Sequence, residues 1–503
     1  MEKRIRRLGI FMVLCFVALF VQLNNIQALK ANSLATNKDN PRVILAAHSQ
    51  PRGSILSSDG VVLASSVLAS SGSYKYQRVY NANTETNKEF SQIVGFDSLY
   101  YGRTGIEDEY NSYLVSHSRP AKSLQDLLVN RTTVGNVTLT VSSKLQSAVY
   151  GAIDSIPGSP SQVGAVVINP KTGAIEAMAS NPSYDQSALA SPSVPVEKAT
   201  YTSLNPTSSS SPMVSRAYQY GFLPGSTFKT VTSSAVFDHD PSLATTDYPP
   251  ESCITVAQTP LPLCNYAGAD GVHETCGGTI ELALPQSCNT VFAQYGMAIG
   301  AQGMNAEAEA FGFNKRIPLD LPYVPDSIFP TVAQLTNNAP LQAYSAFGQG
   351  TAVSTDIATA LQMALVSAGL ADKGVIMTPH VMANIRDSQG NLVTSYSPKK
   401  WLTATSPATA ASVTALMKQV VTSGTASGVG FPAAEDVAAK TGTAEVGLNA
   451  SQTNDWMVAF APASDPKVAV AVVVPNQPGS ATGASTTGPV MKAILAAALA
   501  AAS

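Results

Sequence analysis

Hydrophobic and polar positions are distributed unevenly from the first residues. A charged segment, MEKRIRR, runs into LGIFMVLCFVALFVQL, and apolar character continues more weakly through Ala28 and Leu29. At about 1.5 Å per residue, a helix from Leu8 to Leu29 spans roughly 33 Å, enough for a hydrocarbon core of about 30 Å. Arg4, Arg6 and Arg7 precede it and favour the cytoplasmic side, which sends the remainder outward. The pattern predicts a cytoplasmic tail over 1–7 and a single-pass signal anchor over 8–29. Cleavage near the small residues Ala31 and Ser33 is the rival reading, and in both the chain is exported.

Beyond the polar stretch KANSLATNKDNPR, a first folded unit is expected from about Val43 to about Val141, with turn signals at SSDG. In VSSKLQSAVYGAIDSI the apolar residues Leu145, Val149 and Ile153 recur at helical spacing behind a serine, which predicts a capped amphipathic helix opening a second, larger unit. Two short β-prone runs then flank NPKTG, the punctuation of a hairpin. A long, mainly helical middle follows. The chain closes with a strand through AAKTGTAE, strands at DWMVAFAP and KVAVAVVVP, and a helix at TTGPVMKAILAAALAAA. This order predicts an α+β fold whose antiparallel sheet unites strands far apart in sequence. The expected division is 30–142 for an N-terminal pedestal and 143–503 for the larger unit.

Composition narrows the function. Among 503 residues, 13% are charged and the net charge is −3, with no basic run beyond the first seven residues, so no nucleic-acid surface is expected. With 45% hydrophobic residues the bulk is globular. Cys15 lies in the apolar run, while Cys253, Cys264, Cys276 and Cys288 cluster, as expected of disulfides in an oxidising compartment, with three connectivities open. A zinc site using His273 and Cys276 lacks paired ligand spacing, so neither metal nor cofactor is expected.

Candidate chemistry starts from YGFLPGSTFKT. If a helix begins at Ser226, Lys229 shares its face. Serine is a weak nucleophile until a base takes its proton. Lysine serves as that base only if burial and a nearby cation lower its pKa from ~10.4 toward ~7, a shift of roughly 4 to 5 kcal/mol. By itself the pair is common, and Ser397 with Lys400 repeats it in a polar loop. Two further motifs follow in order: Ser287 and Asn289 in LPQSCNT, then Lys440, Thr441, Gly442 and Thr443 in AAKTGTAE. Decoys exist at Ser203–Asn205 and at the first Lys-Thr-Gly, whose Lys171 is expected at a solvated hairpin tip.

The ordered trio Ser-x-x-Lys, Ser-x-Asn and Lys-Thr-Gly resembles that of the penicillin-recognising serine transferases. The likeness extends along the chain: QPRGSILSSDGVVLA is similar to the Arg-Gly-x-Ile opening of class B penicillin-binding proteins, YGRTGIEDEYNSYL to their Gly-x-Glu segment, and AFGQGTAVSTDIATALQMALVSAGLADKG to the stretch ahead of their third motif. Among them it resembles the short actinobacterial type. SSDG departs from the commoner Asp-Arg-x-Gly, and Ser215 stands where Asn is frequent.

This resemblance implies a five-stranded antiparallel sheet flanked by helices, an all-helical part, and a dimerisation-like pedestal. It implies a D,D-transpeptidase of peptidoglycan stem peptides, inhibited by β-lactams and serving cell growth or division. Ser226 would be the nucleophile, Lys229 its base, Ser287 a proton relay and Lys440 its electrostatic support. Asn289, Thr441, Gly442 and Thr443 would bind substrate, and the backbone N–H groups of Ser226 and Thr443 would form the oxyanion hole. A polytopic glycan polymerase is the implied partner. The alternative is a β-lactamase or a β-lactam sensor. The extra exported unit and anchor count against the first, and the lack of a cytoplasmic signalling domain against the second. A class A β-lactamase also needs Glu-x-x-x-Asn after the second motif, and neither Glu307 nor Glu309 has that spacing to Asn314. Both glutamates are expected on an exposed helical face ending at Gly312.

Overall fold

The computed structural model describes residues 2–30, 49–69, 75–115, 117–118, 132–156, 162–268, 271–351, 356–446 and 451–502. The expected linker from Ala31 onward, with the cleavage reading at Ala31 and Ser33, lies outside them, as does the start of the first unit. The apolar N-terminal run forms a helix, Glu2–Asn24, and the segment Arg4–Gln27 is long and apolar enough to cross a membrane.

The sheet of the larger unit has five antiparallel strands in the order Ile175–Asn181, Val163–Ile168, Val468–Pro478, Gln452–Ala461, Ala438–Val446. The hairpin at the first Lys-Thr-Gly and the three closing strands thus share one sheet. Its central strands are apolar on both faces because both faces are covered. Val163, Ala165 and Val167 join one core with Leu145, Val149 and Ile153 of the helix Ser143–Asp154 and with Met491 and Ile494 of the closing helix Gly483–Ala502. Val166 and Ile168 turn the other way, into a core with Leu361 and Leu365 of the helix Ala360–Ala371. That last helix is buried nearly all round, the pattern of a core helix. The closing helix, which by length and composition could also cross a membrane, is instead packed against this sheet.

The pedestal is built on a six-stranded sheet ordered Leu392–Ser395, Met382–Asp387, Gly135–Leu139, Ile55–Leu56, Val62–Leu68, Tyr76–Tyr80. Its first two strands come from beyond residue 380, and Ile385 sits opposite Val137, so the sheet draws chain from both sides of the 142/143 boundary. The two segments singled out in the sequence meet beneath it. Arg52 Nε donates to Glu107 Oε2 at 2.6 Å, and Arg78, which no motif marked, donates to Glu107 Oε1 at 2.5 Å. Asp59 of SSDG reaches the catalytic unit: it accepts from Ser143 N at 2.8 Å and Ser143 Oγ at 2.7 Å, at the N-terminus of Ser143–Asp154. Against partial burial, which raises it, the bond from Ser57 Oγ at 2.6 Å and then those from Ser143 hold the Asp59 carboxyl below the usual carboxylate range.

One expectation is overturned. Glu307 is buried, not on an exposed face, and pairs with His239 Nε2 at 3.3 Å. Burial raises its carboxyl to about 7, because an ionised carboxylate is poorly solvated there. Glu309 is half-buried. The helix Asn289–Ala310 does finish at Gly312, whose φ of 98° and bond to Glu309 O, with Phe313 N to Ala308 O, make a left-handed cap.

Candidate active site

Pro224 and Gly225 turn the chain into a 3-10 segment, Gly225–Phe228, that continues as the helix Lys229–His239. Gly225 has a φ of 53°, and a Cβ there would lie 2.9 Å from Ala444 N and 3.0 Å from the carbonyl carbon of Thr443. Glycine is therefore required for conformation and for space. On the facing strand Ala438–Val446, a Cβ on Gly442 would lie 2.9 Å from Thr227 Cγ2. The small residues around Lys440 let the strand lie directly against the nucleophile turn, and Gly442 acts as the spacer between them.

Lys229 and Lys440 are both fully buried and both reach Ser287. Lys229 Nζ donates to Ser287 O at 2.5 Å and to Asn289 Oδ1 at 2.7 Å, and lies 3.3 Å from Ser287 Oγ. Ser226 is not among these partners, so the lysine rests on the second motif. Lys440 Nζ donates to Ser287 Oγ and to Thr441 O, each at 2.8 Å. Burial, then the neighbouring charge of Lys440, holds Lys229 well below the ordinary lysine range, with Glu274 opposing them. Burial brings Lys440 down to about 7. The cation that a lysine base requires beside it is the second Lys-Thr-Gly lysine.

Local backbone explains why Ser287 can serve both amines. The helix Ile280–Ala283 ends in a left-handed cap in which Ser287 N bonds to Leu284 O at 3.0 Å and Cys288 N to Ala283 O at 2.9 Å. Ser287 occupies the position usually given to glycine, with a φ of 59°, at a cost of roughly 1–2 kcal/mol for a residue with a side chain. Two residues later the helix Asn289–Ala310 begins. Ser287 and Asn289 thus flank a sharp reversal, and their polar groups converge on Lys229.

Ser226, Ser287, Asn289, Thr441 and Thr443 line one cleft of about 670 Å³. Thr441 Oγ1 lies 2.6 Å from Thr425 Oγ1, and Thr443 Oγ1 accepts from Gly483 N at 3.1 Å. Gln349 of the Gly-Gln-Gly stretch donates to Glu445 O at 2.6 Å, while residues 352–355 of that stretch lie outside the described ones. The opposite wall is an excursion that the sequence did not reveal as part of the site: Cys264, Asn265, Tyr266, His273 and Glu274 all face the cleft. Disulfides Cys253–Cys264 and Cys276–Cys288 hold it, selecting one of three connectivities. The sulfur of Cys276, weighed as a zinc ligand, is tied into one of them. The decoys lie elsewhere. Lys171 is half exposed and pairs with Asp465 at 2.5 Å, and Ser397, Lys400, Ser203 and Asn205 are exposed.

The sequence and the fold have counterparts among known proteins. Residues 163–496 match the penicillin-binding protein transpeptidase domain, and residues 52–137 match the penicillin-binding protein A dimerisation domain. The peptidoglycan D,D-transpeptidase PbpA of Mycolicibacterium smegmatis is 32% identical, and that of Mycobacterium tuberculosis 33%, each alignment covering 99% of both chains. The ceftriaxone acyl-enzyme complex of penicillin-binding protein A from M. tuberculosis superposes with a TM-score of 0.80 at 29% identity, covering 90% of this chain and 100% of that one. Its penicillin G acyl-enzyme complex gives 0.78 at 30% identity over the same shares. By these matches over nearly its whole length, the chain belongs to the class B penicillin-binding proteins.

Proposed function

We propose that this chain is a serine D,D-transpeptidase that cross-links peptidoglycan stem peptides, with the following division of labour. Ser226 Oγ attacks the carbonyl between the two terminal D-alanines. The C–N bond breaks, the last D-alanine leaves as an amine, and an ester on Ser226 remains. An amine of a neighbouring stem peptide then attacks the ester, forming the cross-link and restoring the hydroxyl. As a neutral amine, Lys229 donates its two N–H groups to Ser287 O and Asn289 Oδ1 and keeps a lone pair for the Ser226 proton. Ser287 Oγ, accepting from Lys440, passes a proton to the leaving amine. Asn289, Thr441 and Thr443 hold the substrate, and the Ser226 and Thr443 N–H groups receive the oxyanion, each such donor typically contributing about 3 kcal/mol.

The observation that carries the reading is the pair of buried, pKa-lowered lysines meeting on Ser287 beside a partly exposed Ser226. A β-lactam presents the same carbonyl but keeps its leaving group tethered, so its ester should persist. Glu307, weighed from the sequence as a deacylating glutamate, is engaged with His239 and does not line the cleft. The N-terminal helix is a membrane anchor. A single pass, with the catalytic unit outside, follows from the arginines before it. We assign residues 30–142 to a pedestal that docks a polytopic glycan polymerase and 143–503 to catalysis. The test is a stem pentapeptide donor with an amine acceptor: one D-alanine released per cross-link formed, both blocked by penicillin, is expected. Hydrolysis without aminolysis, or no release, would refute it.

A further inference from the structure

Asn265 has no place in the three motifs, yet its bonds converge on the second. The side chain is 4% exposed. Its Nδ2 donates to Glu251 O at 2.8 Å and to Glu274 O at 3.0 Å, which ties together the two limbs of the disulfide-bonded excursion. Its Oδ1 accepts from Thr290 N at 3.0 Å, across 25 residues of sequence. Its backbone N donates to Ser252 O at 2.9 Å, and its carbonyl lies 2.7 Å from His273 Nδ1.

Thr290 is the second residue of the helix Asn289–Ala310. The first N–H groups of a helix have no partner within it and are normally bonded by the side chain at the N-cap. The N-cap here is Cys288, which makes no capping bond and whose sulfur is joined to Cys276. Asn265 supplies the missing acceptor from another part of the chain. Next to it, Cys264 O accepts from Asn289 Nδ2 at 3.3 Å, fixing the amide so that Oδ1 faces Lys229. The reversal at Ser287, itself left-handed, is therefore held on one side by the cap at Leu284 and on the other by Cys264 and Asn265.

We infer that Asn265 is a positioning residue for acylation: held in the disulfide-bonded excursion, it caps the helix of the Ser-x-Asn motif and thereby fixes Ser287 and Asn289 against the base lysine. The inference rests on the transpeptidase reading above. Lys229 meets a charge from two directions, Lys440 on the third-motif strand and Glu274 on the excursion, with the rings of Phe292 and Phe347 beside it at 5.3 and 5.7 Å. Losing the cap loosens the turn, admits water to Lys229 and moves its pKa back toward the ordinary lysine value. The base then becomes neutral only at higher pH.

The experiment measures the acylation rate of the full chain in detergent by a fluorescent penicillin across the pH range from acid to alkaline. Asn265→Ala is expected to lower the rate by about tenfold near neutrality, the scale of one lost cap, and to move the ascending limb upward by about one pH unit. Asn265→Asp keeps an acceptor for Thr290 N but replaces both donated bonds with a buried carboxylate facing Glu251 O and Glu274 O, so it is expected to move the limb upward as well. Thermal melting verifies folding, and if the alanine variant does not fold, Asn265→Ser, too short to reach Thr290, is expected to show the same shift. An unshifted limb in the Ala or Ser variant, whatever its rate, would overturn the role of Asn265. A wild-type chain that is not acylated would instead overturn the underlying reading.

Discussion

At the scale of single residues, order along the chain decided what could be read. Each short spacing is common by itself, and Ser226, Lys229, Ser287, Asn289, Lys440, Thr441 and Thr443 stood out only because their ordered motifs resemble those of a known family. Their mutual arrangement was not visible, because three distant segments meet only after folding. Nothing local announces that Ser287 adopts a left-handed backbone, or that Lys229 rests on Ser287 and Asn289. The two Lys-Thr-Gly copies make the difference measurable. Lys171 is half exposed, and its pairing with Asp465 contributes little in solvent, so Lys171→Ala should leave penicillin acylation within about twofold. Lys440→Ala removes a buried donor to Ser287 and the charge that helps depress Lys229, so acylation should slow by about a hundredfold or more. The sign of the pH effect is fixed: without that charge Lys229 binds its proton more tightly, and the ascending limb moves to higher pH. Rapid-quench acylation rates of the two variants would decide, and similar rates would contradict the assignment of the second copy.

Elements with a strong apolar period were legible. Leu145, Val149 and Ile153 marked Ser143–Asp154, and Ser142 does accept from Leu145 N at its start. The excursion from Tyr248 to Gly278 was not, since its paired strands are only two to four residues long and are set by disulfides rather than by hydrophobic alternation. The cap from Asp59 was likewise hidden, because a turn in one unit serves a helix in another. Asp59→Ala should cost about 1 kcal/mol, the usual value of a lost N-terminal acceptor, seen as a thermal melt lowered by about one degree in a chain of this size. The wild-type carboxyl is held below its unfolded pKa, so its contribution is complete above that unfolded pKa and fades as the pH falls through the folded one. Equal melting temperatures of the two proteins at neutral pH would show that Asp59 does not stabilise the junction.

For the whole molecule, the order of helices and strands gave the α+β class and the closing sheet, while the pedestal was only partly visible. Its Arg-Gly and Gly-x-Glu segments stood out, but the strands Met382–Asp387 and Leu392–Ser395 lie far along the chain and carry no mark of the sheet they join. That exchange of strands and the bonds at Asp59 are two of the ties between the pedestal and the larger unit, alongside Tyr110 with Asp320 and Ser98 with Glu197. The central claim is that this unit acylates on Ser226 and that the resulting penicilloyl ester persists. Intact-protein mass spectrometry of the full chain after a single addition of penicillin tests it most directly. The expected result is one adduct per chain, located on the Ser226 peptide, persisting as the drug is removed, and absent from Ser226→Ala. An adduct on another peptide, labelling of Ser226→Ala, or rapid return to the unmodified mass with steady consumption of the drug would contradict it.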